Sequence, residues 1–330
     1  MNLAALAPYR GLRVLVLGGD GFIGRWVARL LTAAGAEVHV SVLDRAAAEP
    51  VLAAWEVQAT VQVADLTDPA ALAMLLGAVA PALVINAVGY GVAPAEKRAE
   101  NLALAEAINR DLPRRLVEVL AECPAPAGWH GRRLVHVGSI LEYGNIGGHL
   151  PESAAAAPFG VYGVTKHAGT EAVRREAAAR GVPALTARIC QVYGPGEHPG
   201  RLLPLLLAAK QTGTLPVLSR GTQRKDFTYV EETAEGLLRL GLTAGVPGEI
   251  VNLASGRLTS VAKFIREAAQ LLQLPPAIVR LENPLPDNEL AHDEVCNDRL
   301  RELTAWVPGL DIRGGLRRTL AFGARPLSRG

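Results

Sequence analysis

The chain has little cysteine, few aromatic residues, almost no net charge and no long apolar run, and each shortage removes a class of function. Its three cysteines, Cys123, Cys190 and Cys296, lie far apart, with no C-x-x-C pair and no histidine at metal-ligand spacing. That argues against a structural metal or a disulfide framework. Cys190, inside an apolar run, reads as a small buried hydrophobe. Aromatics make up 5% of the 330 residues, too few for a base-stacking platform. The formal net charge is +2, and no basic run exceeds Arg132-Arg133 or Arg317-Arg318, so nothing resembles a nucleic-acid footprint. The longest apolar stretch, Leu202 to Ala209, contains Pro204 and falls far short of a bilayer span. Met1 to Pro8 lacks the basic flank of a secretory signal. These features predict a cytoplasmic protein that binds neither nucleic acid nor membrane.

What the chain does contain is alternation. Short apolar runs alternate with helical patterns through the first half, the signature of β-α-β units and a parallel sheet. Arg13 to Leu17 reads as a buried strand, and Phe22 to Ala34 as a helix closed by Gly35. Strands are predicted at Val38 to Leu43, Thr60 to Val63, Leu83 to Asn86, Leu134 to Val137 and Ala184 to Ile189. Asp68 and Pro69 mark a helix start. A long helical region runs from about Glu96 to Glu122, with Pro113 kinking or dividing it, and another spans Val161 to Arg180. After about 190 the alternation breaks at Gly194-Pro195-Gly196-Glu197-His198-Pro199-Gly200. The expected fold is α/β: a Rossmann-type doubly wound parallel sheet over residues 1–190, completed by parts of 228–255. A smaller substrate-binding lobe fills most of 191–330.

Gly18, Gly21 and Gly24 give a G-x-x-G-x-x-G turn leaving an apolar strand and opening a helix. Backbone without side chains lets a pyrophosphate approach the helix N-terminus there, beside Phe22 and Ile23. Asp44 lies 20 residues past Gly24, where a carboxylate favours the free 2′-hydroxyl of NAD. Arg45, beside it, could pair a 2′-phosphate instead, so NAD and NADP both stay open, with NAD ahead. Asp65-Leu66 suits an adenine-edge contact or a helix cap. Asn86-Ala87-Val88-Gly89 places small residues along the cofactor path.

Tyr162 and Lys166 are one helical turn apart and so share a face. A lysine charge beside a phenol lowers the tyrosine pKa, as a base acting on an alcohol requires. Together with Ser139, these segments resemble the extended short-chain dehydrogenase/reductase family, in its nucleotide-sugar epimerase/dehydratase branch. Ala187 to Gly196, Gly221 to Glu232 and Gly248 to Gly256 extend the likeness, which covers about 12 to 322. The resemblance implies that Ser139, Tyr162 and Lys166 act on a sugar hydroxyl or ketone, with Tyr162 as acid/base and Lys166 also holding the nicotinamide ribose. It further implies a homodimer built on the helices near 97–122 and 161–180. Tyr143 reads as a packing residue.

Departures narrow the chemistry. Ile140 and Leu141 stand where dehydratases of this branch carry acids, and Glu142, one position late, is expected to point elsewhere. Gln191 replaces a substrate-touching asparagine. Lys225, next to Arg224, stands where an arginine clamps the substrate diphosphate. The second arginine of that clamp is absent from Asn283-Pro284-Leu285-Pro286-Asp287. Val42 occupies the place of the ribose-binding aspartate of NAD-dependent epimerases. The expected function is a nucleotide-sugar 4-epimerase working by transient oxidation at C4. The alternatives are a 4-ketoreductase, a reductase of a non-sugar ketone, and a non-catalytic dinucleotide sensor.

Overall fold

The computed structural model describes residues 3–91, 101–285 and 292–323. Strand β1 (Arg13–Leu17) runs through the glycine turn into helix α1 (Phe22–Ala34). There follow β2 (Glu37–Val42), α2 (Arg45–Ala54), β3 (Thr60–Val63), α3 (Pro69–Val79) and β4 (Leu83–Asn86). Next come α4 (Leu102–Glu106), a π-helical turn (Ala107–Asp111), α5 (Leu112–Glu122), β5 (Leu134–Ser139), the short β6 (His149–Leu150), α6 (Gly160–Arg180) and β7 (Ala184–Ile189).

The second half comprises β8 (Gln191–Tyr193), α7 (Leu202–Thr212), β9 (Leu218–Ser219), β10 (Arg224–Tyr229), α8 (Val230–Gly241) and β11 (Glu249–Leu253). It ends with β12 (Leu258–Ser260), α9 (Val261–Leu272), β13 (Leu281–Asn283), β14 (Glu294–Val295), α10 (Asp298–Thr304) and α11 (Ile312–Gly323).

Seven strands form one sheet in the order β11-β7-β5-β4-β1-β2-β3, and every pairing in it is parallel. The order turns back at β1, between β4 and β2, which is where such sheets open a crevice beyond their C-terminal edge. Helices cover both faces, so β4 and β5 are buried at every residue. That explains why Leu83 to Ile85 and Leu134, Val135 and Val137 are apolar. Each fully buried Leu or Val in these strands contributes about 1.5–3 kcal/mol. β11 joins this sheet beside β7 even though it follows β8 and β10, which belong to another sheet.

Local signals set several boundaries. Gly35 takes φ 79° and its N–H closes α1 on Leu31 and Thr32 carbonyls. The Asp68 side chain accepts the Ala70 N–H, with Pro69 in the first turn of α3. Pro113 does not break its helix among the described residues. The π-helical turn precedes it, and the chain continues into α5. Proline cannot donate to the carbonyl four residues back, which is that of Asn109. Gly169 of α6 packs against that freed carbonyl so closely that a Cβ there would collide with it.

In the second lobe β12, β10 and β8 form a three-stranded sheet, and α7, α9 and α11 bury an apolar cluster around Phe227, Phe264 and Tyr193. Asp226, in β10, accepts the Ser255 N–H and hydroxyl and the Arg257 N–H. The two motif segments around 226 and 255 are therefore one hydrogen-bonded unit. Trp26 of α1 donates its indole N–H to the Pro195 carbonyl at 3.0 Å and stacks edge-on against Trp55 and Tyr229, tying the lobes together. No helix among the described residues is long and apolar enough to cross a membrane.

Candidate active site

The residues singled out from the sequence converge at the C-terminal edge of the parallel sheet. Gly18 leaves β1, Asn86 ends β4 and Ser139 ends β5. Gly18 has φ +71°, which favours glycine, and a Cβ there would press on the Val88 side chain. A Cβ on Gly24 would collide with the Gly18 carbonyl, so α1 can start this close to β1 only with glycine there. Gly21 at the N-cap supplies no side-chain hydrogen bond. The first amides of α1, from Phe22 and Ile23, thus have no side-chain cap and form a cradle that fits a dinucleotide pyrophosphate.

Asp44 and Arg45 are placed differently from expectation. The Asp44 Oδ1 accepts the N–H groups of Ala46 and Ala47, at 2.8 and 3.2 Å, and caps α2. Arg45 donates to the Val61 carbonyl at 2.7 Å and to Glu49. It lines a cavity of about 320 Å³ with Leu52, Val57 and Thr60. Val42, the last residue of β2, is buried, so no carboxylate stands at that strand end. Asp65 closes a local turn by accepting the Thr67 N–H and hydroxyl at 2.9 and 2.7 Å. These bonds hold its carboxyl below the usual range, while Leu66 is buried beside it.

Asn86 lies fully inside, accepting the Val88 N–H and donating to Nδ1 of His136 at 3.1 Å. The Val88 bond fixes the amide orientation, with the Asn86 NH2 toward the imidazole. Burial and the Lys166 charge keep His136 well below its ordinary pKa. Its Nε2 faces the Lys166 Nζ at 3.5 Å. Asn109, freed by the π-helical turn, bonds the Tyr90 backbone in both directions and the Thr165 hydroxyl. It fastens the Asn86–Gly91 loop to α6. Nothing in the spacing of the sequence marks His136 or Asn109.

Tyr162 and Lys166 share a face of α6, but the lysine is not what sets the phenol. Lys166 Nζ donates to the Val137 carbonyl at 2.5 Å. Burial lowers its pKa to about 8. The expected lowering of the Tyr162 pKa is corrected: burial first, then the Glu142 charge, push it up to about 12. Ser139, within hydrogen-bonding reach, and the Arg201 charge act the other way. The Tyr162 ring packs against Gly91, whose φ is +98°. At neutral pH the group is a phenol.

Glu142 turns inward. Its Oε1 accepts the Ser139 N–H at 2.7 Å and its Oε2 the Arg188 Nε at 2.9 Å, all fully or nearly fully buried. Gly138 makes room, since a Cβ there would press on Glu142 Oε1. The Arg188 guanidinium lies over the Tyr143 ring at 4.3 Å. The Tyr143 hydroxyl donates to Asn252 at 2.9 Å. Tyr143 is therefore a packing residue, and Glu142 holds up the Ser139 turn. Ile140 is buried and Leu141 exposed.

Gln191 sits on β8 in register with Phe227, while Arg224 and Lys225 open β10 opposite Ser260 and Thr259. Asn283 ends β13 and donates to the Val217 carbonyl. Pro286 and Asp287 lie outside the described residues. The sequence did not flag Glu197. Glu197 has a side chain 5% exposed, 3.7 Å from Arg201, and its Oε2 has no partner. Burial raises its pKa to about 7.

The sequence matches the profile of the NAD dependent epimerase/dehydratase family over residues 14–254. The chain belongs to that family. It is accordingly an NAD(P)-dependent enzyme of the extended short-chain dehydrogenase/reductase type. It is 32% identical over 320 residues to the dTDP-6-deoxy-L-talose 4-dehydrogenase (NAD(P)(+)) of Kitasatospora kifunensis, covering 92% of this chain and 93% of that one. It is 27% identical to the dTDP-glucose 4,6-dehydratase of Neisseria meningitidis, but the match covers 58% of this chain and 57% of that one. An epimerase from Methanothermobacter thermautotrophicus shares the fold, with a TM-score of 0.82 at 22% identity over 97% of this chain and 94% of that one.

Proposed function

We propose that the chain is an NAD(P)H-dependent 4-ketoreductase, or in reverse a 4-dehydrogenase, of a nucleoside-diphosphate deoxysugar. This reverses the order expected from sequence, where a 4-epimerase came first. The observation that carries it is the end of β2. An epimerase returns hydride to the sugar it oxidised and gains from a firmly held cofactor, whereas a reductase must exchange it. Here Val42 is buried, Asp44 caps α2 and Arg45 faces Val61. The nearest carboxylate, that of Asp44, lies two residues past the strand and spends its Oδ1 on the α2 amides. The likeness to a 4-dehydrogenase over nearly the full length supports the same reading.

The bound cofactor would supply the hydride. The chain's own residues would bind and orient the ketone and deliver the proton. Ser139 would donate a hydrogen bond to the reacting oxygen and hold it beside the Tyr162 phenol. Tyr162, with its pKa pushed up to about 12, would protonate that oxygen as the alcohol forms. Lys166, charged below about pH 8, would keep the site positive and hydrogen-bond the ribose. The three positions after Ser139 do not supply an acid for elimination of water, because Ile140 and Leu141 cannot move protons and Glu142 is held by Ser139 and Arg188.

The test is incubation with NADPH or NADH and a dTDP-4-keto-6-deoxyhexose. Cofactor oxidation in the wild type, lost in Tyr162→Phe while cofactor binding persists, is expected. A Tyr162→Phe variant keeping more than about a tenth of the rate would remove the tyrosine from its role. We also read the chain as a homodimer, since α4 and α6 leave Leu102, Leu104 and Val164 exposed at 43%, 41% and 47%. A monomer mass in sedimentation equilibrium would overturn that.

A further inference from the structure

Strands β6 and β14 pair in parallel, with His149 opposite Glu294 and Leu150 opposite Val295. The ladder runs on past both ends, since the Asp293 N–H donates to the Gly148 carbonyl at 2.8 Å and the Cys296 N–H to the Leu150 carbonyl at 3.2 Å. Alternate residues of a strand share a face, so Glu294 and Cys296 point the same way and His149 stands beside them across the ladder. Leu150 and Val295 point the other way and are buried, at 1% and 0% exposure, in an apolar cluster with Tyr143, Cys190 and Ala254. That buried face fixes the register, because a slip by one residue would turn the apolar pair outward. On the outer face, a ring nitrogen of His149, a carboxylate oxygen of Glu294 and the Cys296 Sγ lie within 4.8 Å of one another. No other trio of such groups comes this close among the described residues.

An exposed ion pair between His149 Nδ1 and Glu294 Oε2, 2.6 Å apart, gains little in water and gives no role to the thiol beside it. The trio holds one ligand of each kind that zinc takes: imidazole nitrogen, carboxylate oxygen and thiolate sulfur. Magnesium and calcium take oxygen almost alone, so nitrogen and sulfur together select a softer divalent cation. With Zn–ligand bonds of about 2.0–2.3 Å, ligand atoms of a tetrahedral site stand about 3.3–3.8 Å apart. The side chains of His149 and Glu294, 70% and 46% exposed, can rotate to that spacing while the ladder holds their backbones in place. We propose that His149, Glu294 and Cys296 form a zinc site on the β6–β14 ladder, with water in the fourth position. The thiol gives its proton to solvent as the Zn–S bond forms. His149 and Glu294 are 145 residues apart, so no metal-ligand spacing shows in the sequence. The Asn252 side-chain amide donates to both the Leu150 and Cys296 carbonyls and accepts the Tyr143 hydroxyl. The metal therefore clasps a strand pair that is bonded, through one amide, to the Tyr143–Arg188–Glu142 network behind Ser139.

Zinc titration of the full, tag-free, reduced chain against a chromophoric chelator tests the site. One zinc ion per chain is expected, with a Kd of about 10 μM or tighter. His149→Gln, at a position too exposed to disturb folding, and Cys296→Ser are each expected to weaken binding at least about 10-fold, since even an outer-shell partner of a metal ligand is worth that much. Cys123→Ser should bind as the wild type does. Cobalt in place of zinc is expected to give a thiolate-to-metal charge-transfer band in the near ultraviolet, present in Cys123→Ser and lost in Cys296→Ser. Saturating zinc should raise the thermal midpoint of the wild type and leave that of His149→Gln unchanged. Unchanged affinity in either ligand variant would overturn the proposal, as would a cobalt spectrum without that band. Wild-type binding weaker than about 10 μM would overturn it too. None of these readouts involves turnover, so the zinc site stands or falls independently of the reductase reading.

Discussion

The Glu142 carboxylate accepts the backbone N–H of Ser139 at 2.7 Å from beneath the turn that presents the serine hydroxyl. The same carboxylate holds the buried Arg188. Removing one partner of a buried ion pair leaves the other uncompensated, at about 3–5 kcal/mol. Glu142→Gln keeps an acceptor for Ser139 but leaves Arg188 unmatched. A marked fall in the thermal midpoint is expected, and an unchanged midpoint would contradict the structural role given to this residue.

Lys166 gives the site a pH signature. Its pKa of about 8 is below that of a free lysine, so the ammonium is lost on raising the pH through that value. The rate of cofactor oxidation is expected to fall above pH 8 for this reason, well before the phenol titrates. In Lys166→Arg the guanidinium stays charged, and the decline near pH 8 should vanish even if the maximal rate drops. A profile with the same decline in both proteins would assign it to another group.

Asp44→Asn separates two roles for one residue. Asparagine caps helices as well as aspartate, so α2 and stability should be preserved. Because the Asp44 Oδ1 is held by Ala46 and Ala47, the ratio of kcat/KM for NADH and NADPH should change by less than about threefold, against the 10-fold of a 1.4 kcal/mol contact. A shift toward NADPH above 10-fold would return Asp44 to the ribose.

Glu197 carries a raised pKa, about 7 against an ordinary 4.5. The folded protein therefore binds this proton more tightly than the unfolded chain. The associated stability is fully present below pH 4.5 and lost as the pH rises through about 7. Glu197→Gln removes that dependence. Its unfolding free energy should exceed the wild type at pH 8, by on the order of 1–3 kcal/mol, and match it near pH 4. A pH-independent difference would show that the carboxyl is not buried as a neutral group.

The frame of the molecule was legible because its signals are local. Gly35, Asp68 and Pro69 act within a few residues of themselves, and the apolar runs of β1, β4 and β5 follow from burial on both faces. The strand–glycine turn–helix join at Gly18 to Gly24 was legible for the same reason. What spacing could not reveal depends on which way a side chain turns. Asp44 sits at a plausible distance from Gly24, yet a free amide pair in α2 lies nearer. Lys166 is one turn from Tyr162, yet a strand carbonyl captures its ammonium. Glu142 turns inward because Arg188, 46 residues away, needs a buried counter-charge. His136 and Asn109 carry no motif, and only the fold brings their partners within reach.

The reductase reading rests on net consumption of cofactor, and one measurement reaches it directly. Purified protein is mixed with a dTDP-4-keto-6-deoxyhexose and NADPH or NADH, and the oxidised cofactor is counted against the sugar product. One equivalent oxidised per sugar reduced is expected, with the product losing its keto group. Interconversion of C4 epimers of a nucleotide sugar with no net change in the cofactor would contradict it.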